Sequence, residues 1–323
     1  MIETLPFTAT ADVRAALGRI GRTEDVAFSP DNRRLALAGY AAGTVLLIDI
    51  AMDFAAGARR IDLTGVTTVT SPGLREPHGV AFLDDRRLVV GDRAGSVAIL
   101  TLPRPRSDPR EVSLVGPRLD AGNASVQLNS PGSVAVVPIG PDEAEILVCN
   151  NYIHQVTRHR LQLGNLRVTG SAVLIQRKLS IPDGIAVSPS RRWIAVSNHT
   201  TRSVLIYRRG FWLGPRSRPA GVLKGAAFPH GVRFTPDGKF ALVADAGAPF
   251  VFIYRSPSGR WRGTRQPAFT IPVMAEEVFR AGQTEPAEGG PKGIDLDRGR
   301  NILVATSHQL GLAFFPLPAE LRR

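Results

Sequence analysis

Cysteine is all but missing from this 323-residue chain: Cys149 stands alone, which excludes an internal disulfide framework and a cysteine-built zinc site. Lysine is nearly as scarce, at positions 178, 224, 239 and 292, so the net charge of +12 is almost wholly arginine. The arginines are scattered, and an arginine-rich, lysine-poor, alanine-rich usage is what a GC-rich coding sequence produces without selection for a ligand. The charge therefore argues little for a nucleic-acid partner, which needs a clustered basic surface. No apolar run approaches the roughly 20 residues that cross a bilayer as a helix. Met1 to Ala16 lacks the basic start and apolar stretch of a secretory signal, so no membrane partner and a reducing cytoplasm are expected.

What the chain has is turn residues, 32 Gly and 25 Pro, spaced by a repeat. A Pro-polar-Gly-Val/Ile phrase leads into an apolar strand at Pro77-His78-Gly79-Val80, Pro182-Asp183-Gly184-Ile185, Pro229-His230-Gly231-Val232 and Pro291-Lys292-Gly293-Ile294. Thr23-Glu24-Asp25-Val26 and Pro131-Gly132-Ser133-Val134 are degenerate copies. Aligned on Asp25, Gly79, Ser133, Gly184, Gly231 and Gly293, the steps are 54, 54, 51, 47 and 62 residues. A fixed period of this size signals a repeat architecture. Each unit reads as four strands; in the fourth they are Ile185–Val187, Trp193–Ser197, Ser203–Tyr207 and Ala220–Leu223. Turns such as Ser29-Pro30-Asp31-Asn32 and Thr235-Pro236-Asp237-Gly238 separate the first two strands, because Pro presets φ and Asp, Asn or Gly tolerates the tight backbone. The second and third strands are continuous apolar runs, as at Leu35–Ala38 and Val45–Ile48, which suits sheets covered on both faces.

These features predict an all-β, six-bladed β-propeller of four-stranded antiparallel blades, one domain over residues 1–323. The sixth unit runs out of chain after three strands, and Ile2–Thr8 is expected to complete it and close the ring. Radial closure gathers the start of each first strand and the end of each second strand on one axial mouth. It brings together Glu24 and Tyr40, His78 and Asp92, Ser133 with Asn150 and Asn151, Asp183 with Asn198 and His199, His230 and Asp245, and Lys292 with Ser307 and His308. His154 is a further neighbour. Asp92, Asn150, Asn198 and Asp245 read as turn caps that bind loop amides, and Cys149 as a core thiol. Arg93 joins the rim by position. The long connection 274–290, with Glu276, Glu277, Glu285 and Glu288, can fold over the mouth. Phe211-Trp212-Leu213, among Arg208, Arg209, Arg216 and Arg218, is either a partner contact or a packed turn.

The unit Pro-x-Gly-Val-x-Val followed by Val-x-Asp resembles the NHL repeat and the wider six-bladed group of gluconolactonases, paraoxonases and strictosidine-synthase-like proteins. The resemblance covers essentially the whole chain and implies a cation at the axial mouth. Gluconolactonase-type enzymes use a Glu leading the first blade and an Asp in a Pro-Asp-Gly phrase, with Asn between. Glu24 and Asp183 match these, and Asn129 is a displaced candidate for the Asn. His78 and His230 resemble the His of Pro-His-Gly in paraoxonases and two zinc ligands of peptidyl-hydroxyglycine lyases, and Val196-Ser197-Asn198-His199 resembles a second paraoxonase motif.

His78 and His230, three blades apart in six, should face each other; a narrow mouth would make them ligands beside Glu24 and Asp183. The metal candidates are thus Glu24, His78, Asp183, His230 and Asn129, for calcium, zinc, manganese or iron. The catalytic candidates are His78, His199, His230 and Lys292, the last anchoring a substrate carboxylate or neutralising the acidic ring. The leading expectation is a metal-dependent lactonase or esterase acting on a small, acidic molecule. The alternatives are a non-catalytic platform for protein, peptide or RNA, and a metal-dependent lyase or isomerase using the opposed histidines.

Overall fold

The computed structural model describes residues 3–55, 59–105, 109–120, 126–283 and 287–322. Six separate sheets surround one axis, which is the expected six-bladed propeller. Their innermost strands are Thr23–Phe28, Pro77–Asp84, Pro131–Pro138, Pro182–Val187, Pro229–Phe234 and Ile294–Leu296. Each touches the next, and the last returns to the first, so the ring is closed. In the fourth blade the strands are Pro182–Val187, Trp193–Asn198, Ser203–Arg208 and Gly221–Lys224, close to the expected bounds.

The core is six clusters, one between each pair of neighbouring blades. The two-residue period of a strand divides one apolar run between two of them. Leu35, Leu37, Leu46 and Ile48 of the first blade pack against Ile302, Val304 and Phe314 of the sixth. Their neighbours Ala36, Ala38, Val45 and Leu47 pack against Leu88 and Val90 of the second. This double duty explains why these strands are apolar at every position rather than at alternate ones. Cys149 lies in the cluster between the third and fourth blades, as a core thiol should.

The rim of the sheets departs from the simple repeat. Thr8–Ala9 and Arg110–Ser113 both run parallel along the outer strand Arg60–Thr70, and Gly263–Arg265 runs parallel along Gly221–Lys224. Connecting segments thus cover strand edges that would otherwise offer unpaired amides. The predicted closing strand Ile2–Thr8 is reduced to one antiparallel bridge, in which the Leu5 amide donates to the Phe314 carbonyl at 2.8 Å. Ile2 lies outside the described residues. The segment cannot pair further with the sixth blade, because three residues on, Thr8 is already paired with Asp62 of the first. The helix Ala11–Arg19, capped by Thr10 and burying Val13 and Ala16, follows at once; the strand period gave no sign of it. No helix among the described residues is long and apolar enough to cross a membrane.

Candidate metal centre

The Pro-x-Gly phrase has a geometric function. In five blades the ladder between the first two strands is irregular where the innermost strand begins, between Thr23 and Val26, Pro77 and Gly79, Pro131 and Ser133, Pro182 and Ile185, and Pro229 and Val232. A bulge of this kind re-aims a side chain, here towards the axis. Pro suits the start of such a strand because it has no amide to pair. The Gly is required by the next blade. A Cβ on Gly184 would stand 2.0 Å from the His230 carbonyl oxygen, and one on Gly293 would stand 2.5 Å from Asp25 Cα, across the ring closure.

The middle residues of the six phrases therefore form one axial tier: Glu24, His78, Gly132, Asp183, His230 and Lys292. In the third blade this corrects the expected Ser133. The register is one residue off, which turns that side chain away from the axis. The gap over Gly132 is filled by Asn151, whose Oδ1 would lie 2.2 Å from a Cβ at that position.

Glu24 is at the centre of the group. Its Oε2 lies 3.3 Å from His78 Nε2, 3.5 Å from His230 Nε2 and 3.5 Å from Lys292 Nζ. Its Oε1 contacts Arg22 Nε and lies 3.6 Å from His308 Nε2. The His78 and His230 rings are stacked with centroids 5.3 Å apart, so the opposed histidines do face each other across a narrow mouth. Asp183 lies behind His230, with Oδ2 at 2.8 Å from its Nε2 and Oδ1 accepting from Asn151 at 2.9 Å and Arg93 at 3.0 Å. Tyr40 meets His78 edge to face, and Arg22 lies over the Tyr40 ring.

Burial by itself would push the Glu24 carboxyl up, but the nearby charges of Lys292 and His78 outweigh it and hold the group well below the usual carboxylate range. Asp183 follows the same pattern: burial opposes ionisation, while His230 and Arg93 overcome it. Burial pushes His230 down, and Asp183 only partly offsets this, so its neutral imidazole is favoured. His78 donates Nδ1–H to the Gly132 carbonyl, which turns the ring so that Nε2 faces Glu24.

Glu24, His78 and His230 each offer a ligand atom, all within 4.8 Å of one another. Glu24 Oε2 and His78 Nε2 are buried with no hydrogen-bond partner among the described residues. A buried polar atom left without a hydrogen bond costs about 1–3 kcal/mol; for Glu24 Oε2 the Lys292 ammonium at 3.5 Å offsets part of that. Tetrahedral ligands bonded at about 2.1 Å stand about 3.4 Å apart, and the 3.3 and 3.5 Å pairs agree with that spacing. The residues present fit a divalent cation.

Of the other expected residues, Lys292 and His308 are at the group, and His199 is at its margin, with Nε2 2.8 Å from Glu288 Oε1. Glu288 also accepts from Lys292 at 2.8 Å, so the described end of the 274–290 connection, at Glu288, reaches the mouth. Burial acts against the Glu288 charge, yet His199 and Lys292 hold it far below its ordinary range. Glu285 lies outside the described residues. Asn129 donates its backbone amide to the Asn150 side chain. His154 accepts from the Ile181 amide instead of facing the cluster. Asp92 and Asp245 are caps: Asp245 takes the amides of Ala227, Phe228 and Gly247. Leu213 packs on the core, but Phe211 and Trp212 are 92% and 89% exposed, so the packed-turn reading fails for both rings.

Sequence reading missed the tier beneath. Two residues beyond the phrase, the axial positions are Ala27, Ala81, Ala135, Ala186, Arg233 and Asp295. Arg233 reaches Asp25 at 3.0 Å and Asp295 at 3.3 Å, and those carboxylates accept the Val80 and Phe28 amides of neighbouring blades. One guanidinium thus ties the fifth blade to the sixth and the first. The signal was present in the alignment as two charged residues among four small ones. Arg22, next to a degenerate phrase, gave none.

No family model matches the chain, and no curated protein matches it. Among solved structures, it is similar to a functionally unknown protein from Desulfotomaculum acetoxidans, with 14% identity, TM-score 0.56 and 91% of this chain covering 82% of that one. It is similar also to a chain of a mitotic checkpoint complex, with 11% identity, TM-score 0.53 and coverages of 91% and 76%. At such identities the likeness concerns the fold alone.

Proposed function

We propose that this propeller is a metal-dependent hydrolase of the lactone or ester type, with a small molecule held in the axial mouth. The observation that carries the reading is the pair of buried atoms without a hydrogen-bond partner among the described residues, Glu24 Oε2 and His78 Nε2, set 3.3 Å apart beside His230 Nε2. Two imidazoles and one carboxylate suit zinc, manganese or iron better than calcium, which prefers all-oxygen coordination. Bound there, the ion would supply Lewis-acid polarisation of a carbonyl oxygen.

The chain's own residues supply the rest. Gly132 fixes the His78 tautomer through Nδ1. Asp183, held by Arg93 and Asn151, positions the His230 ring through Nε2. With His78 and His230 engaged as ligands, the proton acceptor for an attacking water is His308, whose buried Nε2 has no hydrogen-bond partner among the described residues. Lys292 directs an acidic substrate.

Metal content of purified protein, then turnover of a lactone and ester panel with and without chelator, tests this reading. Metal-dependent turnover supports it; a folded, metal-loaded protein that opens no lactone or ester removes it. Product analysis of the same reactions separates hydrolysis from the lyase or isomerase alternative. A binding platform gains one observation, the exposed Phe211 and Trp212 pair, with ring centroids 5.1 Å apart, beside the exposed Arg208 and Arg216. That hairpin follows Arg208, at the far end of its strand from Ser203 and the mouth, so the platform would use the opposite face. Loss of partner capture in Phe211→Ser with unchanged metal content would favour that reading.

A further inference from the structure

We infer that the mouth holds a second subsite, built by Lys292 and His199 for the carboxylate of an acidic ligand, and that Glu288 fills this subsite when no ligand is present. The inference deepens the hydrolase reading by naming a substrate class, but the subsite itself rests on three separate observations.

The first is the docking geometry. Glu288 Oε1 sits 2.8 Å from His199 Nε2, and Oε2 sits 2.8 Å from Lys292 Nζ. Each oxygen meets its own donor, and the donors come from different blades, one after the second strand of the fourth and one before the first strand of the sixth. A free carboxylate would be held in the same way.

The second is the burial of Lys292, whose side chain is 3% exposed. Lysine is almost never so buried unless it is paired. Here it has two partners, Glu288 and, at 3.5 Å, the same Glu24 oxygen that faces the two histidines. The anion subsite and the metal group therefore share one ammonium. The Glu288 and Glu24 oxygens cannot be farther apart than those two contacts laid end to end, so a ligand that spans both is short.

The third is mobility without cost to the fold. The Gly289 and Gly290 amides both donate to the Ala246 carbonyl, at 2.9 and 2.8 Å, which pins the backbone beside Glu288. The side chain itself is 20% exposed. An outward rotation of the side chain would leave both glycine amides bound where they are.

Charge decides the class of ligand. Glu24, Asp183 and Glu288 balance Arg22, Arg93 and Lys292. A carboxylate that takes the place of Glu288 keeps that balance, whereas a neutral ligand would leave the buried Lys292 ammonium short of its partner. The ligand that fits is a compact ester or lactone with a free carboxylate near its reacting carbonyl, or the hydroxy acid it yields.

Succinate affinity of metal-stripped protein, measured by calorimetry with dimethyl succinate as the uncharged probe, tests the subsite. Glu288→Ala should bind succinate at least about tenfold more tightly than the parent, because an internal competitor is gone. Glu288→Gln keeps the side-chain volume and should show the same direction should the alanine variant fold poorly. The diester should show no gain, and adding Lys292→Met should abolish it. Succinate affinity unchanged in both Glu288 variants, or an equal gain for the diester, overturns the inference. With the metal removed, failure of the hydrolase reading would not alter this result.

Discussion

At the scale of single residues, the site depends on side chains that are buried and held in one protonation state. His159 shows the same physics away from the mouth. It lies fully buried in the third blade, between Thr157 Oγ1 at 3.0 Å and Ser171 Oγ at 2.7 Å. Burial pushes its imidazole down from 6.5 to about 4. A depressed histidine takes up its proton in the unfolded chain first, so its contribution is complete above 6.5 and falls away as the pH drops towards 4. Between pH 7 and pH 5 the parent should lose about 2 kcal/mol more stability than His159→Asn. Urea titrations at the two pH values check this, and equal losses would contradict it. The identity of the metal candidates was legible because His alternates with Asp, Lys and Glu at one repeat position. The role of Asn151 was not, since it depends on a glycine one position from where a side chain was expected.

At the scale of elements, the second strand ends on a cap in four of the blades. Asp92, Asn150, Asn198 and Asp245 all accept amides from the loop that precedes the Pro-x-Gly phrase of their own blade. These were readable from sequence as turn chemistry, because Asp and Asn bind nearby amides wherever a strand ends in a tight loop. Asp245→Ala would leave the Ala227, Phe228 and Gly247 amides without their acceptor, at a cost of about 3 kcal/mol. Asp245→Asn should recover most of that loss, as Asn150 and Asn198 already serve in this position. Chemical denaturation of both variants decides the matter; an equal loss in each would mean that the charge, not the acceptor, is what matters. The closing strand was only half legible. The apolar character of residues near Leu5 announces pairing, but the competing claim of the first blade on Thr8 is a tertiary fact that no local pattern records.

At the scale of the whole molecule, ring closure is written in the glycines of the repeated phrase. Gly184 lies against the His230 carbonyl, and Gly231 against that of Lys292, so these blades seat on the backbone that carries the next axial side chain. Gly184→Ala should destabilise the protein by about 3 kcal/mol and weaken metal binding together, since its Cβ would displace the His230 backbone. Gly170→Ala, where an added Cβ meets nothing within 4 Å, should change neither. Thermal melts and metal titrations of the pair provide the check. The fold was legible because a period near fifty residues, with Pro and Gly in fixed places, leaves few other ways to bury so many apolar strands. The Arg233 tier was harder to see, because its meaning appears only when six separate positions are viewed down one axis. The most direct measurement is anomalous diffraction from crystals soaked with zinc or manganese. One peak on the axis, within bonding distance of Glu24 Oε2, His78 Nε2 and His230 Nε2, is the predicted result. No peak there at saturating metal, or a peak bound by other residues, would contradict the account.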